Sequence, residues 1–405
     1  MKNIIYLISS PFFLRDYYRF GCAFLDSKGY GLEIWYIPID GDPSFVSQAG
    51  MYHSNNLFVL SVKEYNMRVL SNCDAIFVSL HFSSEVLLPL INNNCKYILY
   101  GGFGRIPLYH SLIKEKTGGD TLSFRFLTSG EGVYTIIKRR FRKTIREKKE
   151  KEYRRIVYKN PPALIVTSVK PCINECFRVE EVECSKKIVY VHSFDYDRYI
   201  ETNRVDDSCD ENYIVYIDSG IYLLSYDAVR ENIYNDVREY ISEYFQQTNV
   251  LFERLSMYYD LPVIIAGHPH VYYPDNAYNG RRIVFNRTCE LVKHAKVVIT
   301  TDSTAISFAV LYNKPLVHVF NKRLHTEIEK QCGVCWDEWI MYKAGVIEKV
   351  GWIDMDKDDD MICPWNQVMR FDTEKRDLYI KEYIIDNATT EETTYEVLEK
   401  EISKM

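Results

Sequence analysis

The chain has 405 residues, 47% of them hydrophobic and 26% charged, with a formal net charge of -6. That length predicts two core-bearing domains, and the composition excludes a disordered, collagenous or coiled-coil protein. The acidic balance argues against a dedicated nucleic-acid binder, and no apolar run reaches the 18 residues needed to span a bilayer.

The first apolar run, Ile4–Ile8, is short and continuous, as in a parallel strand covered on both faces. Arg15, Asp16 and Arg19 follow too closely for a signal peptide, so a cytoplasmic chain with reduced cysteines is expected. Helical spacing over 17–28 ends at Gly29, and Leu32–Ile37 is the next strand. Further buried strands are predicted at 75–80, 97–100 and 163–167. Between the last two, residues 138–155 carry eleven basic and three acidic residues on a predicted helix. Such a face is either simply solvated or docks peripherally to an anionic membrane leaflet. Alternating strands and helices imply an open parallel sheet that binds ligands at its carboxyl edge.

A polar stretch at 201–211 precedes a second series. Strands are predicted at 213–217, 262–266, 297–300 and 316–319, with helices at 239–259, 288–294 and 304–312. The expected domains are 1–200, 212–365 and a helical tail, 366–405, that crosses back to the first. Cys332 and Cys335 form an isolated pair with no second metal-ligand pair, and Asp354–Asp360 lacks EF-hand spacing. No metal is called for.

The chemistry concentrates in the second half. Gly267, His268 and Pro269 follow a buried strand, so the imidazole is expected at a carboxyl-edge crevice. Ser303 and Thr304 stand where a later strand gives way to a helix, a place suited to an anion. The two elements are expected on adjacent strands, converging on one phosphate ester. Glu290 on the intervening helix is placed to form a surface ion pair.

Leu261–Phe320, with LPVIIAGHPH and KVVITTDSTAISFAVLYNKPLVHVF, resembles the carboxyl half of bacterial surface-polysaccharide proteins of O-antigen and capsule synthesis. SSPFFLRDYYRFGCAFLDSKGYGLEIW resembles their opening, with an Arg-Asp-x-x-Arg-Phe-Gly core. The His-Pro and Ser/Thr elements are also similar to those of GT-B sialyltransferases and Kdo transferases. The resemblance implies a GT-B fold: α/β, with two doubly wound Rossmann-like domains facing a central cleft. It implies an inverting, metal-independent glycosyltransferase without cofactor, moving a nonulosonic or Kdo-type sugar from a CMP-sugar onto a bacterial glycan. In this reading Gly267, His268, Pro269, Ser303 and Thr304 hold the CMP phosphate, and Glu290 the ribose.

The general base is expected at Asp16, with Asp218 of Asp218-Ser219-Gly220 as runner-up, because the family's Asp/Glu-Asp-Gly motif is absent. Arg15 and Arg19 are matched to an anionic donor or acceptor group. Gly101, Gly102 and Arg105 form a possible third cleft loop. The alternatives are a UDP-sugar transferase or a non-hydrolysing nucleotide-sugar 2-epimerase, with a catalytically inert scaffold as a third reading.

Overall fold

A computed structural model describes residues 2–38, 52–101, 144, 147–168, 170, 173–205, 212–220, 224–225, 241–269, 271–301, 303–324, 326, 352–356, 372–385 and 392–405. Two compact units emerge. One comprises Met1–Asp42, Met51–His192 and Ala388–Met405, and the other Pro43–Gly50 and Ser193–Asn387.

The first unit is built on a seven-stranded parallel sheet of order β3-β2-β1-β4-β5-β6-β7. Its strands are β1 (Asn3–Ile8), β2 (Gly31–Tyr36), β3 (Leu57–Val59), β4 (Ile76–Ser79), β5 (Lys96–Tyr100), β6 (Leu164–Thr167) and β7 (Ile188–Tyr190). Ile5, Leu7, Phe77, Leu99 and Ile165 share one apolar core with helix residues Leu87, Leu90 and Tyr153. Continuous burial along β1, β4 and β6 is what covering both faces of a parallel sheet requires.

The helix expected over 17–28 is two short ones, Leu14–Arg19 and Cys22–Ser27. Gly21 separates them in the left-handed region (φ 75°), with the side chain of Tyr395 filling the space where a Cβ would stand. Tyr395 belongs to the last helix, Thr394–Ser403, which packs on Cys22–Ser27 within this unit. Tyr30 donates to Glu399 at 2.7 Å, and Lys187 pairs with Glu401 at 2.5 Å.

The second unit holds a six-stranded parallel sheet of order β12-β10-β8-β13-β14-β15. Its strands are β8 (Ile214–Ile217), β10 (Val263–Gly267), β12 (Ile283–Phe285), β13 (Val297–Thr300), β14 (Leu316–Phe320) and β15 (Trp352–Asp354). A two-stranded antiparallel ribbon, β9 (Leu224–Ser225) with β11 (Val271–Tyr272), accompanies it. The helix Ile241–Tyr259 lays Tyr244, Leu251, Phe252 and Leu255 onto Ile214, Tyr216, Val263 and Ile265.

The helix Phe194–Arg204 belongs to this second unit, not to the first as a boundary near 200 implies. It packs on the helices Thr288–His294 and Ile306–Leu311. Arg198 pairs with Glu290, Ser307 donates to Asp195, and Lys293 donates to the Thr202 carbonyl. The tail is divided as well: Thr373–Tyr379 lies in the second unit and Thr394–Ser403 in the first.

Candidate functional site

In the second sheet, β8 pairs with β10 on one side and β13 on the other, with Ile217 opposite both Ala266 and Thr300. The chain runs outward from β8 to β10 and β12, then returns to the other side of β8 at β13. That reversal is a topological switch point, where open parallel sheets bind ligands beyond their carboxyl ends. Sequence order alone suggested that His268 and Ser303 lie on adjacent strands. They do not, because β8 runs between β10 and β13, about 9–10 Å apart at the usual strand spacing.

The loop after β8, Asp218-Ser219-Gly220, occupies that middle position. Ser219 Oγ lies 2.8 Å from Thr301 Oγ1, which ties the loop to the β13 side. Gly220 faces the β10 side. Its φ is +68°, and a Cβ there would run into Val271 and come within 3.2 Å of His268 Cβ and Cγ.

His268 directly follows Gly267, the last residue of β10, and is half-buried. Its backbone N–H donates to Tyr273 Oη at 2.7 Å, and its carbonyl accepts from the Val271 amide at 3.2 Å. Pro269 stands in the turn that follows. The peptide carrying the imidazole is therefore held from both sides.

Asp218 is 3% exposed. Its Oδ1 accepts from the Gly220 amide at 2.8 Å and its Oδ2 from Tyr278 Oη at 2.7 Å, and the Tyr273 phenol is close enough to act on the carboxyl as a third donor. Burial pushes the carboxyl above the ordinary aspartate range, against the pull of these three donors. Burial and the neighbouring Asp218 charge push Tyr273 and Tyr278 upward, so both phenols stay protonated and can donate. Tyr273 and Tyr278 are residues that the sequence did not single out.

On the β13 side, Thr301 is buried, Ser303 half-buried and Thr304 exposed. The helix begins at Ile306, two residues later than the pattern suggests, and spans only six residues. Ser303 Oγ accepts from the Ala305 amide at 3.2 Å, capping its own turn. A helix this short contributes little dipole, so hydroxyls and loop amides are the anion-binding groups that this side offers. Glu290 takes the surface-ion-pair alternative through Arg198, which comes from the helix Phe194–Arg204.

The remaining candidates lie in the first unit. Asp16 is 6% exposed: Oδ2 accepts from the Phe13 amide at 3.1 Å, and Oδ1 pairs with Arg15 at 3.0 Å. These contacts close the start of the helix Leu14–Arg19, on which Arg19 is the last residue. At the switch point of this sheet, between β1 and β4, Ser9 Oγ lies 2.5 Å from His81 Nδ1, a pair the sequence did not signal. Gly101 follows β5, and its amide donates to the Val166 carbonyl at 3.1 Å. Gly102, Arg105, Cys332 and Cys335 lie outside the described residues. Among the described residues, no group of three or more His, Cys, Asp or Glu side chains could hold a metal ion.

No protein-family model matches the chain, and no curated protein matches it. Solved structures do. The wall teichoic acid polymerase TagF, with CDPG, aligns at a TM-score of 0.51 and 12% identity, covering 100% of this chain and 89% of that one. The calicheamicin glycosyltransferase CalG4 aligns at 0.50 and 11% identity, covering 100% and 98%. The UDP-N-acetylglucosamine 2-epimerase of Rickettsia bellii aligns at 0.47 and 8% identity, covering 100% and 96%. What the first two of these likenesses establish is the fold: two Rossmann-like domains with parallel sheets, of the GT-B type.

Proposed function

We propose that the chain is a GT-B glycosyltransferase that binds a nucleotide-activated sugar at the carboxyl edge of its second sheet. The observation that carries this reading is the convergence there: the Asp218–Gly220 loop lies at the switch point, flanked by His268 just beyond β10 and by Thr301 and Ser303 beyond β13. A nucleotide sugar leaves as its phosphate ester, and an imidazole with neighbouring hydroxyls donates hydrogen bonds to the charge that develops on that ester.

The CMP-activated 2-keto sugar draws no support from the comparisons. CalG4, a glycosyltransferase, agrees with the broader alternative of sugar transfer from another nucleotide, a UDP-sugar among them. TagF, a wall teichoic acid polymerase, agrees with a bacterial surface glycan as acceptor. In this reading Asp16 is the base that the sequence proposes, and no metal is required.

Among the described residues no helix is long and apolar enough to cross a membrane. Peripheral contact through residues 138–155 belongs to the proposal; Lys148, Lys151 and Arg155 are exposed on the described part of that segment.

The test is thermal stabilisation by UDP, CDP and CMP in EDTA, followed by turnover of the corresponding sugars. A ligand at 100 times its Kd stabilises the folded state by about 2.7 kcal/mol, well within reach of such a scan. UDP is expected to raise the melting temperature, and His268→Ala to remove most of that rise. A shift with CMP alone would restore the CMP-sugar reading, and no shift with any nucleotide would overturn the proposal. Conversion of a UDP-sugar to its C2 epimer without an acceptor would identify an epimerase.

For the base, Asp16→Asn is expected to keep nucleotide stabilisation and lose at least about a hundredfold in turnover, the scale of a missing general base. The asparagine oxygen can still accept from the Phe13 amide, so the helix start survives. Full turnover in this variant would exclude Asp16 as the base.

A further inference from the structure

We propose that Tyr273 and Asp218 are positioning residues for His268, the phenol holding the histidine's backbone while the carboxylate anchors both that phenol and the loop against the imidazole. The inference deepens the nucleotide-site reading and does not need Asp218 to act as a base.

The argument is a count of protons. A backbone N–H can only donate, so at 2.7 Å from the His268 amide the Tyr273 oxygen is an acceptor. Its single proton must then go elsewhere, and the neighbouring Asp218 carboxylate is the acceptor assigned to it. The same carboxylate takes the Tyr278 proton at 2.7 Å and the Gly220 amide at 2.8 Å. A carboxylate that is 3% exposed, with donors on both oxygens, is committed to contacts inside the protein.

What it can do is fix geometry. Gly220 stands against His268 Cβ and Cγ, and Tyr273 holds the His268 amide, so both restraints on the histidine end at Asp218. Tyr278, 1% exposed, braces the carboxylate from the core side. An imidazole at a strand end would otherwise sample several rotamers, and holding it in one is worth affinity without any new contact to the ligand.

The test is a double-mutant cycle on nucleotide affinity, by titration calorimetry with UDP and with CMP. Tyr273→Phe is expected to weaken the nucleotide that the wild type binds by about tenfold, the size of one lost buried hydrogen bond. In a His268→Ala background the same substitution should change affinity by less than about twofold, because coupled residues are not additive. Asp218→Asn should show the same dependence on His268. Equal losses in both backgrounds would overturn the positioning role.

A second measurement needs no nucleotide: the carbethoxylation rate of His268 by diethyl pyrocarbonate, read by peptide mass spectrometry. Tyr273→Phe should raise it severalfold, whereas Tyr258→Phe, at an exposed tyrosine, should leave it unchanged. If the wild type binds neither nucleotide, it is the proposed function that has failed. The modification rate then decides the positioning claim alone, and an unchanged rate in Tyr273→Phe sinks it.

Discussion

Gly220→Ala is expected to abolish nucleotide stabilisation and to lower the stability of the second unit by about 3 kcal/mol or more. Two costs combine. A φ of +68° costs an L-residue about 1–2 kcal/mol, and the added methyl must also displace Val271 and press on His268, an overpacking cost of about 1–3 kcal/mol. Asparagine separates the two, since it tolerates left-handed backbone but fills the same space. Gly220→Asn should therefore still lose the nucleotide response, although its backbone cost is smaller. The measurement is the melting temperature of each variant with and without nucleotide. A Gly220→Ala protein with normal stability and a normal nucleotide shift would show that the β8 loop is not packed against the histidine as described.

The dependence on Gly220 also marks where sequence reading stops. The buried central strands were legible because a parallel strand covered on both faces must be a continuous apolar run, as in Ile4–Ile8 and Val297–Thr300. Edge strands such as β3, β7, β12 and β15 have only three residues each, too few for any periodicity to register. Strand order left no local trace at all. His268 and Ser303 are near each other in the second half of the chain, but the strand between them, β8, comes first in that half. Asp218-Ser219-Gly220 therefore looked like an imperfect copy of an acidic motif, while its position at the switch point was invisible. Tyr273 and Tyr278 lie in an irregular stretch among thirty-three tyrosines, and only the fold brings them to Asp218. The start of the last helix at the site was misread for a local reason: Ser303 caps a turn at Ala305 and delays the helix to Ile306.

Glu181→Ala should cost the first unit about 3–5 kcal/mol, as expected when one partner of a buried ion pair is removed. Glu181 is fully buried. Its Oε1 accepts from Tyr153 at 2.5 Å and Arg178 at 2.6 Å, while Oε2 accepts from the Arg178 amide at 2.9 Å and so caps the helix Val179–Cys184. Arg178 also grips both oxygens of Glu150, at 2.5 and 2.9 Å, and stacks on the Tyr153 ring. Truncating Glu181 strips the guanidinium of one of its two anions and leaves a phenol and an amide without an acceptor. Glu150 stands in the segment that looked, from its eleven basic residues, like a docking face. Its described part also supplies an anchor to the core, and Lys149 and Arg154 are engaged with Glu85 and Glu180. Burial raises the Glu150 carboxyl, but the Arg178 hydrogen bonds and charge outweigh it and hold the pKa below the ordinary 4.5. A lowered folded-state pKa contributes stability above that value and loses it as pH falls. Urea unfolding of the first unit should therefore weaken below about pH 4.5 in the wild type and change less steeply in Glu150→Gln. If Glu181→Ala shifts that unfolding by less than about 1 kcal/mol, no more than an exposed ion pair would, then Arg178 is held by Glu150 alone.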